Sequence, residues 1–211
     1  MITKEDIEIG RTPNELRQFV TTIKSKINNC KQERHRAMRK KGIYKVFVEE
    51  IIPLSLFCMK IYPDNYNIFP KLGNQGYDAI VKDENGKIFE YVEITGPYDG
   101  RKAANDAKLT VERGYGELFI RDYNSGSDLK DMFSIIMDAC EKKLKKDYSN
   151  CSLVIVIYFS SPYEEEKPIY MQVLKELEKK ILKKIFTEKK IYFKKIYLLP
   201  IDLGVVKKIY G

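Results

Sequence analysis

Two acidic residues lie at the ends of two strand-like runs, at positions that solvation of the protein surface does not explain. Asp78 lies at the start of the run at 77–82, and Glu93 lies near the end of the run at 87–95. The Asn-Gly pair at 85–86 predicts a β-hairpin, and a hairpin that closes there brings Asp78 near Glu93. Two carboxylates on one face of a sheet form a hard-oxygen site, so the pattern predicts a centre for Mg²⁺ or Mn²⁺.

Glu50 is a third carboxylate in an apolar setting. The apolar residues around it recur at helical spacing, so its side chain points out of an apolar helix face rather than toward water. The neighbouring Glu49 has Lys45 four residues before it and can form an ordinary surface pair. We therefore place Glu50, rather than Glu49, beside Asp78 and Glu93 as a candidate metal ligand.

The order of these residues resembles the PD-(D/E)XK nuclease superfamily over roughly residues 43–113. A helix carries Glu50, a strand opens with Asp78, the next strand ends in Glu93-Ile94-Thr95, and a helix follows. The resemblance implies a restriction-endonuclease-like α/β sandwich in which Asp78 and Glu93 hold the catalytic metal with help from Glu50. It implies, as function, Mg²⁺-dependent hydrolysis of phosphodiester bonds in DNA by an endodeoxyribonuclease of a restriction or phage-defence type.

The chain departs from the superfamily pattern at two positions. Tyr77 precedes Asp78 where the motif has proline, a change that members of the superfamily tolerate. Thr95 occupies the position of the motif lysine, which orients or activates the attacking water. The resemblance implies that the cation can instead come from the following helix, where Lys102 and Lys108 are the candidates. The alternative is a catalytically inactive nuclease-fold domain that binds nucleic acid or a protein partner.

The charge of the chain favours a polyanionic partner. The sequence contains 38 Lys+Arg against 30 Asp+Glu residues, so DNA is the expected partner, with RNA not excluded. A basic run at 31–41 precedes the Glu50 helix and is placed to contact phosphates. The alternative explanation of the same run is a Lys-rich composition or a solvated helix end without a nucleic-acid contact. The candidate nucleic-acid-binding residues are Arg34, Arg36, Arg39, Lys40 and Arg101.

Length and composition favour one cytoplasmic domain. The 211 residues suffice for one sizeable core, and we expect an N-terminal helical segment at 1–60 and a nuclease-like core at 43–211. Four scattered cysteines and one histidine offer no Cys/His zinc site, and no signal peptide is recognised. The apolar runs are too short to cross a bilayer, so no membrane partner is expected. The apolar stripe of the helix at 168–186 could form the surface of a homodimer.

The elements that must position these residues follow from hydrophobic periodicity. They predict an α/β fold with a mixed central sheet flanked by helices, and an apolar, β-branched strand at 152–159 that is buried on both faces. The predicted helices lie at 13–41, from 43 to the region of Pro53 with 60 as the alternative end, and at 101–113, 129–146 and 168–186. The other predicted segments are a loop at 62–76, the hairpin at 77–95, and strands at 191–199 and 205–210. The segment at 118–121 is too short to assign, with a strand as one option.

Overall fold

A helical N-terminal half precedes a mixed half of strands and helices. The computed structural model describes residues 2–73, 75–97, 100–113, 127–144, 150–159, 167–187 and 192–211. The N-terminal segments are α1 (Lys4–Glu8), α2 (Pro13–Asn29), α3 (Lys31–Met38), α4 (Ile43–Val46), a π-helix (Phe47–Ile51) and α5 (Ile52–Ile61). The later helices are α6 (Gly100–Arg113), α7 (Ser127–Leu144) and α8 (Lys167–Thr187), which confirm the predicted helices to within two residues at each end.

The single helix predicted over 13–41 is wrong, because the chain divides into α2 and α3. The α2 start is as expected: Pro13 occupies the first turn, and Thr12 and Glu15 cap each other's backbone N–H. At Cys30 the backbone is extended, with φ −122° and ψ 114°. The two preceding residues are asparagines, which have a low helix propensity, and this weakens the helix before the break.

The helix that carries Glu50 contains a π-helical turn that the sequence explains. Pro53 has no N–H to donate to the carbonyl of Glu49, four residues earlier, and its ring would collide with that carbonyl. The chain widens at this point, and the Ile52 N–H donates to the Phe47 carbonyl five residues before it. Such turns occur frequently at functional sites. This one contains Glu49 and Glu50.

Six strands form one mixed sheet in the described residues, in the order β1-β2-β3-β4-β5-β6. The central strand β4 is parallel to both of its neighbours, and the outer pairings are antiparallel. Every residue of β4 is buried, which confirms the predicted interior strand. The strands are β1 (Asn67–Pro70), β2 (Ala79–Lys82), β3 (Ile88–Thr95), β4 (Cys151–Ile157), β5 (Phe193–Pro200) and β6 (Lys207–Tyr210).

The hairpin between β2 and β3 is confirmed as an antiparallel pair. Its turn is held by Asp83, whose N–H donates to the Lys87 carbonyl at 2.9 Å. The Asp83 carboxylate accepts from the backbone N–H groups of Asn85 and Lys87. Gly86 adopts φ 76°, a left-handed conformation that glycine takes at no steric cost. The turn therefore fixes how the ends of β2 and β3 meet.

Two other predicted segments have different outcomes. The loop predicted at 62–76 is wrong in part, because β1 lies within it and pairs with β2 at the edge of the sheet. This strand is only four residues long and ends in proline, which edge strands tolerate, so its pattern is too short to recognise. The unassigned segment at 118–121 lies outside the described residues.

Each face of the sheet packs against its own set of helices. The N-terminal helices cover one face, where Phe47, Leu54 and Phe57 pack with Val92 and Val154. The helices α7 and α8 cover the other face with a second apolar cluster. The fold is therefore α/β, with a six-stranded mixed sheet between helical layers. No helix in the described part of the chain is long and apolar enough to cross a membrane.

We expect the shortening of a side chain in the central strand β4 to destabilise the protein far more than the shortening of a side chain at the exposed start of β3. Ile155 is fully buried, so Ile155→Ala should lower the free energy of unfolding by about 2–5 kcal/mol. Ile88 is 51% exposed, so Ile88→Ala should change it by less than about 1 kcal/mol. Urea unfolding of both variants measures the difference, and equal losses would contradict the position of β4 in the core.

Candidate active site

Asp78 forms hydrogen bonds with backbone groups of the two residues adjacent to Glu93 in the chain. The Asp78 N–H donates to the Val92 carbonyl at 2.8 Å. Its carboxylate oxygen Oδ2 accepts from the Ile94 N–H at 2.7 Å. Because Val92 and Ile94 flank Glu93 in β3, these two bonds hold Asp78 beside Glu93 where the hairpin strands end. The structure thus brings together the two residues that the sequence singled out first.

Glu93 is buried and pairs with a lysine that the sequence reasoning did not select. The residue is only 4% exposed, and a carboxylate buried to this extent needs a partner. The partner is Lys143, whose Nζ donates to Glu93 Oε1 from α7. Lys143 follows Ile136 by seven residues and Cys140 by three, so it continues the apolar helix face that packs on the sheet. That spacing was the available signal.

Burial and neighbouring carboxylates shift the pKa of Asp78 far from its ordinary range. Burial first, and then the charges of Glu93 and Glu50, raise the pKa of Asp78 from 3.8 to about 8. The hydrogen bond from Ile94 and the ammonium of Lys143 lower the pKa of Asp78 and offset part of this rise. Asp78, Glu93 and Glu50 therefore act on one another electrostatically, with Lys143 as a cation that opposes them.

Glu50 belongs to the same electrostatic cluster. Burial first, then the charges of Glu49 and Glu93, raise the pKa of Glu50 to about 6. Glu49 forms an ion pair with Lys40 at 3.1 Å, in which both side chains are mostly shielded from solvent. The structure agrees with the sequence in one respect: of the two adjacent glutamates, Glu49 is the one that forms an ion pair. That partner is Lys40 from the end of α3.

The two carboxylates of Asp78 and Glu93 are fewer ligands than a metal site built only from protein side chains needs. In the described part of the chain, no three Asp, Glu, His or Cys side chains are grouped so that they could hold a metal ion. The three-ligand site of Asp78, Glu93 and Glu50 therefore stays a prediction. Mg²⁺ is commonly bound through one or two carboxylates together with waters and substrate phosphates. Asp78 Oδ1 and Glu93 Oε2 are the oxygens not engaged by Ile94 and Lys143.

Glu90 shows what a purely structural buried carboxylate looks like on the same strand. It is 1% exposed and accepts hydrogen bonds from the Tyr62 hydroxyl at 2.8 Å and from the Ser152 hydroxyl. Lys195 Nζ lies 3.4 Å from both of its carboxylate oxygens. Hydroxyl and ammonium donors from α5's end, β4 and β5 surround Glu90, so it ties these elements together. The sequence reasoning missed this network, because its members are distant in the chain.

The other predicted site residues have different surroundings. Lys108 lies on the exposed surface of α6 and is 4.0 Å from Glu112, so it pairs within its own helix. Thr95 ends β3. The backbones of Arg101 and Lys102 lie in the first turn of α6, and their side chains are outside what the structure describes.

The basic run lies on α3 and the turn that follows it. Arg34 and Arg39 are exposed. Arg36 forms an ion pair with Glu33 at 3.0 Å, and Lys40 pairs with Glu49, so two of the predicted nucleic-acid contacts hold carboxylates of the chain itself.

The comparisons with known proteins identify no relative. No protein-family model, no curated protein and no solved structure matches the chain.

The raised pKa of Asp78 predicts a specific dependence of stability on pH. The folded protein keeps a proton on Asp78 up to about pH 8, whereas the unfolded chain releases it near 3.8. Stability from this group is therefore complete below the unfolded pKa and is lost as pH rises toward 8. Asp78→Asn should remove this loss, so its stability relative to wild type should increase steadily as pH rises from 4 to 8.

Thermal unfolding of both proteins from pH 4 to pH 8 without added divalent metal measures this gain. Asp131 is exposed on α7, so Asp131→Asn is the matched control and should follow wild type. A constant difference between Asp78→Asn and wild type across this range would contradict the raised pKa.

Proposed function

We propose that this protein is a metal-dependent nuclease that hydrolyses phosphodiester bonds in DNA, with a restriction-endonuclease-like fold. The observation that carries the proposal is the hydrogen bonding of Asp78 to both neighbours of Glu93, with Lys143 donating to Glu93. Phosphodiester hydrolysis needs a water activated as nucleophile and positive charge near the scissile phosphate. Two buried carboxylates and one ammonium are the groups that can organise both.

Asp78 and Glu93 are the residues that would hold Mg²⁺ or Mn²⁺. Such an ion, when bound, lowers the pKa of its water and stabilises charge on the phosphate. The contribution of the chain is to fix the two carboxylates before substrate arrives. The Ile94 N–H holds one oxygen of Asp78, and Lys143 holds one oxygen of Glu93. Glu50 adds negative potential from the π-helix and favours a cation at the cluster.

Lys143 takes the role that the superfamily motif gives to the lysine at the position of Thr95. An ammonium beside Glu93 can orient the attacking water and stabilise negative charge that develops on the phosphate. Burial of Lys143 against the sheet limits its motion, since its side chain is 25% exposed. The cation therefore comes from α7, in place of β3 or of the α6 candidates Lys102 and Lys108.

A second candidate function is supported by the same ion pair. Lys143 and Glu93 satisfy each other within the protein, which is also what a domain that binds nucleic acid without cutting it would need. The substitution of the motif lysine by Thr95 favours this alternative. The two functions differ in whether DNA bound by the protein is cleaved when Mg²⁺ is added.

We expect the wild-type protein to nick or linearise plasmid DNA in Mg²⁺ or Mn²⁺ and to be inactive in EDTA. Asp78→Asn and Glu93→Gln each remove a carboxylate from the proposed centre, so each should abolish detectable cleavage. Both substitutions keep the size of the side chain and leave a neutral amide. Circular dichroism of both variants should match wild type. Cleavage that persists in both, or that is equal in EDTA, would contradict the proposal.

Lys143→Met should reduce the rate of cleavage by about 10²–10³-fold, the range seen when one charge-stabilising donor is removed. Lys142 is exposed and adjacent on α7, so Lys142→Met is the matched control and should cleave like wild type. The cleavage rate at saturating DNA measures the difference, and equal rates for the two variants would remove Lys143 from the reaction.

Lys143→Met also leaves the Glu93 charge buried without its partner, which can destabilise the fold. The double variant Lys143→Met with Glu93→Gln removes both charges, so it should recover stability while remaining inactive. Lys143→Arg keeps the charge and should retain part of the activity. If the wild-type protein is folded and binds DNA but does not cleave it, the result favours the non-catalytic function.

A further inference from the structure

A cationic groove lies between α3 and α6, apart from the carboxylate cluster. It is a cavity of about 270 Å³ lined by Arg39, Lys41, Lys108 and Glu112. Three of these four side chains are positive, and they come from two helical regions separated by almost seventy residues of chain. The C-terminal end of a helix attracts cations by itself, but α3 does not account for Lys108, which α6 contributes.

The backbone at the end of α3 holds two of these cations in a fixed turn. Lys40 adopts φ 46° and Gly42 adopts φ 56°, so the chain reverses sharply on either side of Lys41. The Lys41 N–H donates to the Arg36 carbonyl at 3.2 Å, and the Lys40 N–H donates to the Ala37 carbonyl at 3.0 Å. A non-glycine residue with positive φ carries strain, so the contacts around Lys40 must offset it.

Arg39 and Lys41 differ from their neighbours in being available to a ligand. Arg36 and Lys40 form ion pairs with Glu33 and Glu49. Within the described residues, no carboxylate forms an ion pair with Arg39 or Lys41, and both side chains are exposed.

Lys108 is also available, because its pairing with Glu112 spans 4.0 Å between exposed side chains. Exposed pairs of this kind contribute little to stability, because solvent screens the two charges. An anionic group in the groove can therefore displace Glu112 at low cost.

The groove is connected to the proposed active centre through one ion pair. Lys40 stands between the two lining residues of the α3 turn and pairs with Glu49. Glu49 directly precedes Glu50 in the π-helix. The turn that supplies Arg39 and Lys41 is therefore joined by an ion pair to the π-helix that carries Glu50.

We propose that this groove binds a backbone phosphate of duplex DNA beside the one that is cleaved. The inference rests on the proposed function for its position in the reaction. Arg39, Lys41 and Lys108 are the contacts, and they read charge rather than sequence, because phosphate contacts position a duplex without identifying its bases. None of the described residues that line the groove is aromatic, so it offers no platform on which the bases of a single strand could stack.

Fluorescence anisotropy with a labelled DNA duplex tests the groove, in Ca²⁺ so that binding is measured without turnover. The double variant Arg39→Gln with Lys41→Gln should weaken binding and reduce the slope of log affinity against log salt by about 1–2, since each lost phosphate contact removes about one. Lys108→Gln should reduce it by about 1. Glu112→Gln should tighten binding, because it removes the carboxylate that competes for Lys108.

Lys24 is exposed on α2, outside the groove, so Lys24→Gln is the control of matched charge and should leave the slope unchanged. Groove variants that bind like Lys24→Gln would overturn the inference. A single strand of the same sequence should bind more weakly and depend less on Arg39 and Lys41. Equal affinity and equal dependence for the single strand would overturn the assignment to duplex DNA.

Cleavage in Mg²⁺ distinguishes failure of the groove from failure of the nuclease. If both proposals hold, the groove variants should raise KM for plasmid DNA while kcat stays near the wild-type value. Groove-dependent binding by a wild-type protein that cuts nothing would retain the groove as a binding site and reject the nuclease. Cleavage by wild type together with unaltered binding by the groove variants would reject the groove alone.

Discussion

Two hydrogen bonds, one donated by the backbone N–H of Asp78 and one accepted by its carboxylate, hold Asp78 beside Glu93, and the rest of the site depends on this arrangement. They join Asp78 to the residues on either side of Glu93 at the open end of the hairpin. Because this end is buried, the carboxylates are held together at an electrostatic cost, which appears as the raised pKa of Asp78. Lys143 offsets part of that cost from α7. Binding of a positive charge would therefore lower the electrostatic energy of this cluster.

The contrast between Glu90 and Glu93 separates structural from chemical use of buried charge within one strand. Glu90 is surrounded by hydroxyl and ammonium donors from three other parts of the fold, and its lone pairs are used within the protein. Glu93 has Lys143 as its donor and shares its surroundings with Asp78. A carboxylate with many internal donors stabilises packing. A carboxylate held next to a second carboxylate favours the binding of a cation or a proton, because either one reduces the repulsion between them.

The sequence predicts this fold and site best where the signal is local. Asn85-Gly86 and the apolar run of β4 indicate a hairpin and an interior strand, and both are confirmed, so Asp78 and Glu93 could be brought together in advance. The cation could not be located as securely, because Lys143 lies fifty residues from Glu93 and meets it only through the packing of α7. The break at Cys30 and the strand Asn67–Pro70 were missed because weak local propensities decide them.

Binding of Mn²⁺ in the absence of DNA tests most directly whether Asp78 and Glu93 form one cation site. Electron paramagnetic resonance of free Mn²⁺ during titration with protein measures the bound fraction. Wild type should bind Mn²⁺, with an affinity that falls as pH is lowered and protons compete for Asp78. Asp78→Asn and Glu93→Gln should each lose this binding, whereas Asp131→Asn should keep it. Failure of the wild type to bind Mn²⁺, or equal binding by all four proteins, would contradict the account.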